Sequence, residues 1–201
     1  MSLDYRSSRR AVQAMLLGAA ATLAACGGSG TSTSATPEAA VPVLSVPLVD
    51  LTLLVDFLPF GAAPSNPTYK LYTAGDTASV RAAGPGTVVT ILANAGRDAD
   101  SEIHIRPPGA PDYLIIYDHV VSIQVAVGQS VTAGQVLGRI APWVPGKGFT
   151  ELQVNRGSGP STVARCPREF GTADFNAAHD AALARFPSRG DRVCVTDSVI
   201  P

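Results

Sequence analysis

The chain has 201 residues, with 15 Lys or Arg against 16 Asp or Glu, for a formal net charge of −1 at pH 7. Charge this low and this balanced leaves no basic stripe for nucleic acid and no polybasic patch for an anionic membrane surface. With 46% hydrophobic residues, 19 Gly and 16 Pro, the composition is that of a compact, turn-rich β domain, and no repeat of solenoid type is visible.

The first ten residues are polar and carry Arg6, Arg9 and Arg10, and residues 11–25 are small and apolar apart from Gln13 and Thr22. A charged start before so short an apolar run predicts a secretory signal peptide over residues 1–25, since a membrane span needs ~20 apolar residues. The run ends in Leu23-Ala24-Ala25-Cys26, which resembles the lipobox of bacterial lipoproteins. That resemblance implies cleavage before Cys26, a diacylglycerol on its thiol and an acylated amine, an anchor of several chains and hence a firm one. Gly27, rather than Asp, after the cysteine implies the outer membrane, so the expected location is periplasmic and lipid-anchored. Residues 26–42 read as the lipidated Cys26 and a flexible Ser/Thr/Ala/Pro tether.

The mature domain is read as residues 43–160, with a C-terminal extension over 161–201. Val43 to Phe60 alternates such that Leu48, Asp50, Thr52 and Leu54 share one face, which predicts a strand. A loop to Pro67 and a short strand over 69–73 follow. Short strands are then expected at 87–92, 102–106, 113–117, 121–127, around Val131, at 137–141 and at 151–156, with a loop from Pro142 to Gly148 that carries Trp143. Strands this short, separated by turn signals, predict a mainly β fold of sandwich or barrel type. Glu102 and His104 share one face of their strand, and Glu151 and Gln153 one face of theirs. Near the C-terminus Thr172 is a candidate N-cap with Asp174 in the first turn. Phe175, His179, Ala182, Leu183 and Phe186 then fall at helical spacing, Pro187 closes the helix, and 193–200 returns as a strand. His179 reads as a packing histidine on that seam. With Cys26 taken by lipid, Cys166 and Cys194 remain, an even pair that an oxidising periplasm would bridge, stapling the helix to the β domain.

Three segments carry a more specific resemblance. Val80 to Val89 is a glycine-turn hairpin, Tyr117-Asp118-His119-Val120 follows, and Val125 to Gly138 is a long turn-rich stretch ahead of the strand at Glu151. Together they resemble the β core of the M23 (LytM-type) zinc metallopeptidases that cut peptidoglycan cross-bridges, over about half of the mature chain. The resemblance implies an antiparallel sheet of the family's duplicated-hairpin type with a short C-terminal helix added.

It also implies a site, most of which this sequence lacks. The family holds zinc with a His and an Asp of an early His-x-x-x-Asp element and the second His of His-x-His, leaving one position open for water. Here Asn66 to Tyr72 contains no His, Glu151 stands at the first His-x-His position, and Gln153 at the ligand position. His119 alone keeps its family place. The first expectation is therefore a non-catalytic module without a cofactor, binding peptidoglycan, a cell-wall hydrolase or another envelope partner in a groove lined by His104, His119, Glu151, Gln153 and Asn155. The second is a peptidoglycan endopeptidase with zinc in a rebuilt site of His119, Glu151, Glu102 and His104. The third is a structural envelope lipoprotein whose groove does nothing and whose interaction surface is the C-terminal helix, a reading that an exposed apolar patch around Phe175 and Phe186 would favour. Asp118 and His119, as strand neighbours, are expected to point to opposite faces. The Val125 to Gly138 hairpin also resembles that of biotinyl and lipoyl carriers, but neither Lys70 nor Lys147 sits in the turn such a carrier needs.

Overall fold

The strand Lys147–Arg156 is the hub of the molecule, because four other strands share its two edges. The computed structural model describes residues 40–190 and 192–201. The predicted signal peptide, Cys26 and nearly all of the tether lie outside the described residues. In chain order the strands are β1 (Leu54–Leu58), β2 (Tyr69–Ala74), β3 (Ser79–Arg81), β4 (Gly86–Ala93), β5 (Ser101–Arg106), β6 (Tyr113–Val121), β7 (Ser130–Val131), β8 (Val136–Val144), β9 (Lys147–Arg156) and β10 (Val163–Arg165). A helix α1 (Ala173–Leu183) and a last short strand β11 (Ser198–Val199) follow.

All the strand pairs are antiparallel, and the main path runs β1-β2-β9-β8-β6-β5-β4-β7. One edge of β9 is shared end to end by β2, against residues 147–152, and β10, against 154–156. The other edge is shared by β8 and by β6, whose Tyr113 to Asp118 pair with Arg156 to Glu151. The fold is thus the mainly β, antiparallel arrangement with one C-terminal helix that the sequence predicts.

The alternation of the strands decides which face is which. Tyr69, Leu71, Ile103, Ile105, Ile115, Tyr117, Leu152 and Val154 are all fully buried on the inner face. That face is covered by Leu44 and Leu48 of the entering segment, by Phe57, and by Phe175 and Leu183 of the helix. Tyr117 buries its phenol completely and accepts a hydrogen bond from the Ala83 N–H at 2.7 Å. The Tyr-x-His segment is thereby tied to the turn at Gly84, where a side chain would collide with the Val43 carbonyl. Thr172 caps α1 as predicted, accepting from the Phe175 N–H at 3.2 Å. His179 is fully buried against the rings of Tyr69 and Phe175. Cys166 and Cys194 form the expected disulfide, and β10 joins the extension directly to the sheet. No helix among the described residues is long and apolar enough to cross a membrane.

Four expectations need correction. Val43 to Phe60 is not one strand: the Asp50 carboxylate accepts from the Thr52 N–H at 2.9 Å and winds residues 51–53 into a turn of 3-10 helix, so β1 begins only at Leu54. The predicted strand over 121–127 is a loop, since Ser122 takes a left-handed φ of 51° and ends β6. The supposed loop from Pro142 to Gly148 is a tight hairpin between β8 and β9. Its turn is Pro145-Gly146 with Gly146 at φ 76°, the residue pair that a two-residue turn of this shape favours. Finally, 193–200 pairs as a ladder only at Ser198–Val199, with an isolated bridge at Cys194.

Candidate functional site

The outer face of the sheet presents side chains in rows set by strand register. Lys70 of β2 is opposite Glu151 of β9, which is opposite Asp118 of β6. One row along, Gln153 is opposite Ile116, which is opposite His104 of β5. Asn155 is opposite Leu114 in the next. Of the residues expected in the groove, His104, Glu151, Gln153 and Asn155 lie in these rows on one face.

A bulge concentrates the chemistry. Between β5 and β6 the pairs Ser101–Val120 and Ile103–Tyr117 leave Glu102 facing both Asp118 and His119. Two residues opposing one is the signature of a β-bulge, which re-aims side chains. His119 adopts a left-handed φ of 60°, and its N–H donates to the Asp118 carboxylate at 2.7 Å. Strict alternation predicts that Asp118 and His119 diverge; the bulge brings His119 Nε2 within 3.6 Å of Asp118 Oδ2 instead.

The imidazole is held on three sides. Its Nδ1 lies 2.8 Å from Asp100 Oδ2, its Nε2 lies 3.6 Å from Glu151 Oε1, and its ring packs on Phe149 with centroids 4.3 Å apart. Asn94 donates one amide to both aspartates, at 2.9 Å to Asp100 and 2.7 Å to Asp118. That bridge fixes both carboxylates and turns their free oxygens toward His119. Asp100 is only 3% exposed. Burial pushes the Asp118 carboxyl above the usual carboxylate range, with the like charge of Glu102 adding to the effect and the bonds from Asn94 and His119 opposing it.

Glu151 is 5% exposed and is matched by the Lys70 ammonium, 2.6 Å from its Oε1. Glu102 and His104 bond to one another, and Gln153 donates to Asn155 at 2.6 Å. Beyond Phe149 the face becomes aromatic. Tyr72 stacks on Phe149 with centroids 5.0 Å apart, and Trp143 lies 5.0 Å from Phe149 and 5.9 Å from Tyr72. Burial raises the Tyr72 hydroxyl, and the Glu151 charge adds to it.

The donor set at the positions where the M23 resemblance would put zinc does not suit the metal. Gln153 offers an amide that is already bonded to its neighbour, and the early element contributes an ammonium through Lys70 and no imidazole. A different trio, Asp100, Asp118 and His119, brings one potential ligand atom from each residue within 4.8 Å of the others. Of the residues expected in a rebuilt site, His119 and Glu151 meet, whereas Glu102 and His104 turn to each other. Sequence reasoning did not pick out Asp100, Asn94 or Lys70 as parts of the site. The first two lie on the β4–β5 hairpin, where nothing in their spacing marks them. For Lys70, its position opposite Glu151 exists only once β2 is paired with β9.

No family model matches the chain, nor does any curated protein. Among solved structures it is similar to Csd3 of Helicobacter pylori, at 19% identity and a TM-score of 0.47, over 65% of this chain and 33% of that one. It is similar to lysostaphin, an antimicrobial peptidase of Staphylococcus simulans, at 22% identity and a TM-score of 0.45, over 57% of this chain and 47% of that one. A third is the catalytic domain of the prophage-encoded M23 protein EnpA of Enterococcus faecalis, at 19% identity and a TM-score of 0.42, over 52% of this chain and 84% of that one. The chain thus spans a third of the Csd3 structure and about half of lysostaphin.

Proposed function

We propose that the outer face of the sheet is a non-catalytic groove that binds the peptide stems of peptidoglycan, or a cell-wall hydrolase or other envelope partner, on a periplasmic lipoprotein anchored to the outer membrane through Cys26. The observation that carries this reading is the Lys70–Glu151 pair, 2.6 Å across the β2–β9 ladder. A cation belonging to the protein stands beside the one family histidine, His119, so the central carboxylate is neutralised without a metal. Around it, His104, Gln153 and Asn155 supply hydrogen-bonding groups for an extended chain.

The test is co-sedimentation of the purified protein with intact peptidoglycan, followed by analysis of the supernatant for released fragments. Co-sedimentation that weakens in Gln153→Ala and Asn155→Ala, with no fragments released, supports the reading. Fragment release that depends on added metal contradicts it.

The trio of Asp100, Asp118 and His119 favours a second reading, a zinc-dependent peptidoglycan endopeptidase with a rearranged site. In that case Asp100, Asp118 and His119 would hold the ion, which would supply Lewis-acid chemistry. The exposed apolar patch that would favour the third expectation gains no support, since Phe175 is 1% exposed and the Phe186 ring lies 5.9 Å from that of Phe57.

A further inference from the structure

Beside the charged cluster, at the β1 end of the outer face, a cavity of about 310 Å³ is lined by Val55, Leu58, Tyr72, Trp143, Val144 and Lys147, with the Asp56–Arg189 pair closing one side. Val55, Trp143 and Val144 are 38%, 46% and 45% exposed. Large apolar side chains scattered singly on a surface need no explanation, but three that converge on one concavity form a patch. The volume is at the lower end for small-ligand pockets, enough for a fragment of a few small residues.

The charges around the cavity are not equivalent. Arg189 is held by Asp56 through two bonds, at 3.0 and 2.6 Å. Lys147 has no ion-pair partner among the described residues. One wall is thus aromatic and aliphatic, and the cation left available belongs to Lys147. An ammonium beside an apolar pocket matches an anionic group attached to a small apolar body. The rings also run without a break from the cavity into the cluster, through Tyr72 and Phe149 to His119.

We propose that this cleft binds the carboxylate end of a short peptide of small aliphatic residues, with the carboxylate on Lys147 and the aliphatic groups against Trp143, Val55 and Val144. The inference rests on the reading of the outer face as a peptide groove and adds to it the polarity of the bound chain. The peptide's C-terminus lies at the β1 end, and the preceding residues extend past Phe149 toward His119.

Trp143 is the only tryptophan of the chain, so its fluorescence reports on this wall of the cleft and on the Phe149 and Arg97 groups it packs against. The experiment titrates the full chain with alanine tripeptides, as the free acid and as the C-terminal amide, and follows indole emission and heat of binding together. The expected result is a saturable change in emission with the free acid, about tenfold weaker for the amide, and the same tenfold loss for the free acid with Lys147→Gln. Equal affinity for acid and amide overturns the carboxylate assignment and leaves the groove reading standing. Heat of binding without any change in Trp143 emission places the peptide elsewhere on the face and overturns the cleft. Neither heat nor emission change with either peptide overturns the cleft and the peptide-groove reading together.

Discussion

Lys70 and Glu151 face each other across the β2–β9 ladder, and the ammonium lies 2.6 Å from Oε1 of a carboxylate whose side chain is 6% exposed while that of the lysine is 25% exposed. The unequal burial decides what the pair is worth. A carboxylate taken out of water is costly unless a partner offsets it, and here the partner reaches in from the edge of the groove. The His119 imidazole lies 3.6 Å from the same carboxylate oxygen, so the lysine also sets the charge that the histidine experiences.

Removing one partner therefore costs more than removing both. Lys70→Ala is expected to destabilise the domain by roughly 3 kcal/mol, because it strands the buried carboxylate. Lys70→Met combined with Glu151→Leu recovers most of that loss, since well-packed apolar groups replace a desolvated pair at little cost. Urea denaturation of Lys70→Met, Glu151→Leu and the double variant checks this. Additive losses would contradict it.

Asp118 makes a prediction of opposite direction. Its folded-state pKa is raised from 3.8, chiefly by burial, so its stabilising contribution is complete below that value and is lost as pH rises through the folded pKa. Asp118→Asn keeps an oxygen that accepts from Asn94 and the His119 N–H, and removes the desolvated charge. The melting temperature at pH 7 is expected to rise by about 2–4 °C, the shift for ~1 kcal/mol in a domain of this size. The gain should vanish near pH 3.5. A loss of stability at pH 7 would contradict the account.

His179 gives the acid side of the stability curve. Its Nδ1–H donates to the Phe175 carbonyl at 2.8 Å, and its Nε2 is buried without a partner. Burial lowers its pKa from 6.5, opposed by the smaller effects of the Phe175 bond and the Asp180 charge, while the Arg168 charge adds to the lowering. A neutral buried histidine contributes stability that is complete above pH 6.5 and is lost as pH falls from there through the folded pKa. Melting temperatures of the natural chain should fall across that window, and His179→Leu should flatten the slope. An unchanged slope in the variant would place the acid sensitivity elsewhere.

The disulfide joins residues 28 apart in sequence, on either side of α1. Closing a loop of that length stabilises by about 3–4 kcal/mol in the chain-entropy view. Cys166→Ser with Cys194→Ser is expected to lower stability by that amount. The outer face should keep its ligand binding, because no cysteine lies in it, and binding assays on the folded variant separate the two effects.

Much of the architecture was legible because it depends on alternation, which is local. Glu102 with His104, and Glu151 with Gln153, share faces as their period of two demands, and Phe175, His179 and Leu183 bury together on one side of a helix as their spacing demands. What escaped depends on interruptions of the pattern. A left-handed His119 in a bulge makes Asp118 its neighbour in space, and nothing in Tyr-Asp-His-Val announces the bulge. Asp100 and Asn94 enter the site from a hairpin turn, and Lys70 from a strand 81 residues away in sequence. The strand expected at 121–127 failed for the same reason, since a run of β-branched residues gave no sign of the backbone reversal at Ser122. Composition marks the strands well, whereas register and strained turns decide which polar groups meet.

The central claim is that a protein cation, and no bound metal, neutralises the middle of the groove. The most direct test is elemental analysis of the purified protein after zinc loading and exhaustive dialysis. The account predicts no retained zinc above the level of a Lys70-intact control carrying Asp118→Asn and His119→Ala. Near-stoichiometric zinc that disappears in that control would contradict it and establish the cluster of Asp100, Asp118 and His119 as a metal centre.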